Sequence, residues 1–417
     1  MAITINSQPE THTPAYNDQY FVLSSSNSSQ TNFKYICTVT VDGQSPISFP
    51  VDKHPTNSKG YFNPQKLGEA GVDTTLTTSQ TELRPATNSI KSVYVQFAEQ
   101  YGSTPTTQAV TASGLYYIWD AAYDAKDFSS YTFSQTTLAR TLNKGVYVGG
   151  DTGIYASNKI TRTQRFWMYW HNAFGTSTIA SLQIKSYNSA LTLIQTAEID
   201  NTYKTVGSTY SRNLMYADVS AVGTAQILAA NPSSVTRSNG ALPIIPSTTY
   251  LYTVTWVDAI LAPVSTPYVV VIDGFCSRYD QYSLHWKNQY GAIDTAVFNM
   301  VSRIKTDKAE KTYKKNPYTL NSSNNYTYSN SDAVEQTYSS ELTNNITLNT
   351  PITTDDYYAF LKDLVTSPYV LLEDSSGNFF SMKVADNNYE LRKRVNDGMF
   401  NFTVNLKYQF NDVRQRG

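Results

Sequence analysis

The chain has 417 residues, too many for one ordinary domain, so two or three domains are expected. Its 32 basic and 33 acidic residues leave a formal net charge of −1, without the basic excess of a general nucleic-acid binder. No run of about 18 apolar residues predicts a membrane span, and the start "MAITINSQPETHTPAYNDQY" lacks the basic and apolar regions of a secretory leader.

Tyrosine is the compositional outlier, with 33 copies against 17 phenylalanines in a chain only 16% charged. Tyr and Thr favour pleated, half-buried surfaces. Tyr also suits protein–protein contact, because it brings area and a polar tip at little entropic cost. The expectation is a mainly β protein with much protein-facing surface.

Taken in chain order, the first 14 residues are polar and read as a flexible arm. Period-2 alternation then predicts strands at "NFKYICTVTV" (32–41), "SVYVQFAEQY" (92–101), "GLYYIWDAAY" (114–123), "QRFWMYWHNA" (164–173), "YLYTVTWVDA" (250–259) and "YVVVIDGFCSRY" (268–279). A short helix fits "NPQKLGEAGV" (63–72), and "LAANPSSVTRSNGALPIIPSTT" (228–249) reads as loop. The sharpest change of composition is the lysine-rich run into Asn/Ser/Tyr over 305–332. One helix is well signalled near 354–366. Thr353 is placed to cap it, Asp355 and Asp356 suit its N-terminus, and Tyr357, Phe360, Leu361 and Leu364 form one apolar stripe. The last strand, "FNFTVNLKYQF", puts Phe400, Phe402, Val404, Leu406, Tyr408 and Phe410 on one face. The predicted class is mainly β: multi-domain antiparallel β-sandwiches, with a C-terminal β domain carrying one packed α-helix. The expected division is an arm at 1–14, β-sandwich domains at 15–135 and 136–300, and the C-terminal domain at 301–417.

Candidate chemistry is sparse. "SLHWKNQYGAIDTAVFNM" (283–300) gathers His285, Lys287 and Asp294, residue types able to serve as base, electrostatic stabiliser and orienting acid. The alternation around them reads instead as a strand, a loop and a strand, with His285 and Lys287 opposite Trp286 on an exposed or interface-facing side. Asp151-Thr152-Gly153 matches the aspartic-protease tripeptide, but Gly149 and Gly150 precede it and turn chemistry explains it. His12, His54 and His171 are scattered. Cys37 and Cys276 lack metal-site spacing and read as buried thiols. The expectation is no catalytic, cofactor-binding or metal-binding residue, and no enzyme.

Several stretches form an ordered set: "FVLSSSNSSQTNFKYICTVTVDG" with "GYFNPQKLGEAGV", then "SVYVQFAEQYG", then "LHWKNQYGAIDTAVFNM" running into "KAEKTYKKN". The last is "ITLNTPITTDDYYAFLKDLVTSPYVLL" with "KVADNNYELRKRVNDGMFNFTVNLKYQF". In this order they resemble structural proteins of tailed bacteriophages infecting Bacteroidetes, particularly crAss-like phages. One departure is "HWKNQYGAID", where the family pattern has "WLNRFGGWD". The resemblance implies a tail or neck component stacked as a ring below the portal. It implies a virion protein assembled in the bacterial cytoplasm, whose partners are copies of itself and neighbouring tail, neck or portal proteins, with no sequence-specific nucleic acid. The long C-terminal strand and the polar 316–332 segment are candidates for pairing between subunits by strand addition. Arg392, Lys393 and Arg394, with Arg414 and Arg416, are candidates for meeting acidic surface on a neighbour. The alternative is a tail-associated receptor- or glycan-binding β-sandwich with Trp119, Trp167 and Trp170 as stacking platforms. A depolymerase or protease is the third possibility.

Overall fold

The computed structural model describes residues 3–74, 76–133, 141–150, 153–172, 179–204, 214–273, 278–316, 318–328, 334–385, 399–410 and 412–414. The chain is mainly β and divides into two compact units, Met1–Asp273 with Lys287–Asp294, and Gly274–Trp286 with Thr295–Gly417.

The first part of the first unit comprises β1 (Ile3–Ser7), β2 (His12–Pro14), β3 (Phe21–Ser25), β4 (Lys34–Val41), β5 (Ile47–Asp52), β6 (Gly60–Phe62), α1 (Gln65–Glu69), β7 (Arg84–Ala86), β8 (Ile90–Tyr101), β9 (Thr106–Thr107), β10 (Ala112–Trp119) and α2 (Ala125–Phe128). A sheet of order β1-β3-β6 accompanies one of order β2-β10-β8-β4-β5, with β9 on β8. The alternation of β4 becomes an inward face of Tyr35, Cys37, Val39 and Val41, which packs with Phe21, Val95, Phe97, Tyr116 and Ile118. The expected N-terminal arm is corrected. β1 pairs antiparallel with β3, β2 pairs parallel with β10, and Ile3 and Ala15 join the core. A polar segment of this kind is held by its backbone, which composition does not reveal.

The second part of the unit comprises β11 (Val146–Gly150), β12 (Gly153–Ile160), β13 (Trp167–His171), β14 (Ser181–Tyr187), β15 (Leu193–Asp200), β16 (Leu214–Asp218), α3 (Ala221–Ala230), β17 (Val235–Arg237), β18 (Leu251–Val257) and β19 (Tyr268–Ile272). Seven strands run β11-β12-β19-β18-β14-β15-β17, and β13-β16-β7 form a smaller sheet. A separate core fills this part, with Trp170 stacked on Trp256 at 3.6 Å. Because β7 lies in the first part of the chain and pairs with β16, the boundary expected at 135 is no break between units. Helix α3 takes in residues 228–230, the start of the expected loop. It begins where Ser220 Oγ accepts from the Gly223 amide at 3.0 Å. Its Ala-rich sequence buries only Gly223, Thr224 and Ile227, so it lacks a legible apolar stripe.

The second unit is built on β20 (Tyr282–Lys287), β21 (Ile293–Phe298), β22 (Arg303–Lys314), β23 (Tyr318–Leu320), β24 (Tyr326–Tyr328), β25 (Glu335–Thr354), α4 (Asp355–Thr366), β26 (Val370–Glu373), β27 (Phe379–Val384), β28 (Met399–Tyr408) and β29 (Asp412–Arg414). Its main sheet has the order β21-β20-β26-β27-β28-β25-β22, with β29 also on β25, while β23 and β24 pair with each other. Phe360, Leu361 and Leu364 of α4 pack on Leu348, Phe402, Val404 and Leu406, as the stripe and the last strand predict. Each such side chain contributes about 1.5–3 kcal/mol when fully buried. Phe410, expected on the same inward face, lies beyond the end of β28 and is 79% exposed. The side chain of Thr353, the expected cap, lies outside the described residues. The boundary expected at 300 is moved earlier, because Leu284, Trp286, Ala296 and Phe298 belong to this C-terminal core.

Candidate assembly surface

The residues gathered in the stretch 283–300 go to separate partners. His285 is fully buried, not exposed as the alternation predicts. Its Nδ1 lies 2.9 Å from Thr295 Oγ1 and its Nε2 lies 3.1 Å from Glu373 Oε2. The outer side of β20 is therefore as buried as the side carrying Trp286, and alternation alone misjudges it. A hydroxyl, an imidazole and a carboxylate in a row have the connectivity of a proton relay. All three residues are shut away from solvent, at 0%, 0% and 1% exposure for His285, Thr295 and Glu373.

Lys287 instead pairs with Asp120. Asp294 accepts from the Lys144 amide at 3.0 Å, from Asn143 Nδ2 at 3.2 Å and from Asn288 Nδ2 at 2.8 Å. Asn288 also accepts the Tyr290 and Ala292 amides, which fixes the loop. Gly291 turns this loop at φ +86°, where a Cβ would come 2.5 Å from the Asp120 carbonyl, so only glycine fits.

Of the remaining candidates whose side chains are described, all but His54 are buried. Trp119, Trp167 and Trp170 are at most 1% exposed, which removes them as stacking platforms for a glycan. His12 and His171 are buried, with ring centroids 6.4 Å apart, and His54 is exposed. Cys37 is buried and free, and burial pushes its thiol up to about 12. Asp151, Cys276, Arg392, Lys393, Arg394 and Arg416 lie outside the described residues, as does the side chain of Arg414.

The feature left standing is a ribbon of the second unit. β22 pairs antiparallel with the first part of β25, from Arg303↔Thr347 to Lys314↔Glu335. All 12 residues of β22 are exposed. Alternating sequence normally gives a strand one apolar face, but RIKTDKAEKTYK has polar or charged residues on both faces and no inward one. Cross-strand polar pairs hold it: Thr306 to Asn344 at 2.7 Å, Asn345 to Asp307 at 2.8 Å, and Thr312 to Glu335 at 2.7 Å. The small hairpin of β23 and β24 follows in the chain, with Tyr318 and Tyr326 rings 6.0 Å apart, and Tyr313 and Tyr338 sit 6.3 Å apart on the ribbon. Among the described residues, nine of the 23 exposed large hydrophobics fall between Met300 and Tyr338. At ~3.3 Å per residue, the twelve residues of β22 extend about 40 Å.

The two segments expected to add strands are placed as follows. β28, the long C-terminal strand, lies between β27 and β25 in the sheet order, and β27 pairs with it at Leu406–Tyr408. Among the described strands, β22 ends the sheet on one side. The segment 316–332 closes on itself where it is described, through Tyr318↔Tyr328 to Leu320↔Tyr326. The signal that identifies the ribbon was present in the sequence as a β-length run with no apolar face, inside the composition change at 305–332.

Comparison with protein-family models and with curated proteins finds no match for this sequence.

Proposed function

We propose that the chain is a structural virion protein that assembles into an oligomeric ring in the tail or neck of a tailed bacteriophage, below the portal. The observation that carries this reading is the ribbon. Its outer end, where Lys311–Lys314 pair with Glu335–Ser339, is two-stranded among the described residues and marginal alone in water, and it presents exposed tyrosines. Covering it with neighbouring protein stabilises both, and its exposed tyrosines suit that role. The resemblance of the ordered sequence stretches to crAss-like phage proteins supplies the setting: a virion protein made in the bacterial cytoplasm, with copies of itself and neighbouring tail, neck or portal proteins as partners. Closed rings come from head-to-tail contacts, so the ring surface is not self-matching.

The test removes the outer ribbon without disturbing its base. Lys311 and Ser339 are cross-strand partners, so an Asn-Gly turn can join them in place of residues 312–338, which keeps the core residue Ile346 and the pairing of β25 with β28 and β29. Electron microscopy and mass measurement of purified protein should find rings of fixed copy number for the full chain and dispersed subunits for the deletion. A full chain that stays monomeric at every concentration, or a deletion that still closes rings, overturns the reading.

A further inference from the structure

We propose that the open edge of β22 pairs antiparallel with β22 of a second copy of this chain, across a two-fold axis at Ala309. The inference names one partner for one edge of the ribbon and deepens the assembly reading. It holds whether or not the subunits also close into rings.

Three observations carry it. First, the edge is free to pair. β22 ends the sheet order, β29 sits on β25, and no described strand occupies the outer side of β22. The one register shift of the ribbon places the extra residue, Tyr338, on β25, between Ser339 and Thr337. β22 itself is regular along its whole length, so its outward N–H and C=O groups recur at every second residue.

Second, geometry restricts the register. Outward-pointing residues must face outward-pointing residues, so paired residue numbers must share parity, and their sum must be even.

Third, charge selects one register. β22 carries Arg303, Lys305, Lys308, Lys311 and Lys314 against Asp307 and Glu310. Among even registers that overlap nine residues or more, the sums are 614, 616, 618 and 620. Sum 614 sets Asp307 against its own copy and Arg303 against Lys311. Sum 616 sets Lys308 against its own copy and Lys305 against Lys311. Sum 620 sets Glu310 against its own copy. Sum 618 alone opposes no like charges. It pairs Asp307 with Lys311, Lys308 with Glu310, Thr306 with Thr312 and Ala309 with Ala309, so that "TDKAEKT" is complementary to its own reverse.

The side-chain positions agree. Lys305 already bridges Asp307 at 2.7 Å and Lys308 bridges Glu310 along the strand. Pairing at sum 618 therefore makes a square of alternating charge from Lys308 and Glu310 of each copy. On the other face, it places each Asp307 between Lys305 and the opposing Lys311. An edge whose lysines only prevented association would gain nothing from Asp307 and Glu310. A two-fold contact of this kind joins subunits in pairs. Combined with head-to-tail ring contacts, it would join two rings face to face, so ring closure and edge pairing are read out separately.

The experiment uses the full chain with Cys276→Ser, so that the buried Cys37 is the one native thiol left beside the introduced one. Ala309→Cys should give a disulfide-linked dimer under mild oxidation, because directly opposed strand residues lie within disulfide range. Thr306→Cys and Thr312→Cys should each fail to link alone and should link when mixed. Native mass spectrometry supplies the charge arm. Asp307→Lys with Glu310→Lys, and Lys308→Glu with Lys311→Glu, should each weaken self-association by about tenfold or more at low salt, less so at high salt. Mixed, the two variants should form a one-to-one heterodimer. Absence of a linked Ala309→Cys dimer, self-linking of Thr306→Cys, or charge variants that associate like the parent chain would each overturn the pairing. Loss of rings with cross-linking intact would count against the ring reading alone.

Discussion

The two edge strands of one sheet in the second unit are opposites. β21, IDTAVF, ends the sheet on one side with all six residues buried. β22, RIKTDKAEKTYK, ends it on the other with all 12 exposed. A sheet edge has unpaired backbone groups, and proteins either cover the edge or charge it. β21 is the covered kind, and its buried polar side chains each have partners: Thr295 at His285, and Asp294 at Asn143, Lys144 and Asn288. β22 is the charged kind, and its side chains need no internal partners because water solvates them. The difference shows how the same backbone serves two tasks. One edge is committed to the fold, and the other is left for a partner.

The contrast has energetic consequences. The largest concerns Phe298 of β21, buried with its ring centroid 6.3 Å from that of Phe402. Phe298→Ala should lower stability by about 3–5 kcal/mol in urea unfolding. A loss no larger than that of a ribbon substitution would erase the distinction between the two edges.

A second handle is pH, which acts on buried titratable groups. Burial pushes the Cys37 thiol up to about 12, whereas an unfolded thiol titrates near ~8.5. Between these values the unfolded chain releases a proton that the folded chain keeps. The thiol's contribution is therefore whole below about pH 8.5 and declines by about 1.4 kcal/mol per pH unit above it, until the folded thiol ionises. Denaturant midpoints measured from pH 7 to 10.5 should fall along this course, and Cys37→Ala should flatten it. An identical slope in that variant would move the effect to other groups.

Thr295→Val keeps the shape of β21 and removes the hydroxyl beside His285 Nδ1. Its expected cost is about 1–3 kcal/mol, because a buried ring nitrogen loses a partner. If the variant proves as stable as the parent, the buried row of Thr295, His285 and Glu373 is not what holds this edge. The smallest effect belongs to the open edge. Ile304 is 64% exposed, and Ile304→Thr should change monomer stability by no more than about 0.5 kcal/mol. A larger loss under conditions where the chain is monomeric would mean that the ribbon is part of a core.

The sequence by itself determined the strands with clear alternation, such as β4, together with the stripe of α4 and the inward face of β28. Tyr35, Cys37 and Val39 alternate inward, Phe360, Leu361 and Leu364 line one helical face, and Phe402, Val404 and Leu406 meet them. Those are local properties, because a strand sends successive side chains to opposite faces and a helix repeats every 3.6 residues. The tertiary structure decided whether a strand's second face was also covered, and which strands lay at the edges. His285 stands on a polar register and is nevertheless buried, the N-terminal residues Ile3–Ser7 are strand rather than arm, and β28 is internal while β22 is the edge. Strand order and the covering of a face depend on residues far away in the chain, and alternation within one strand carries no record of them.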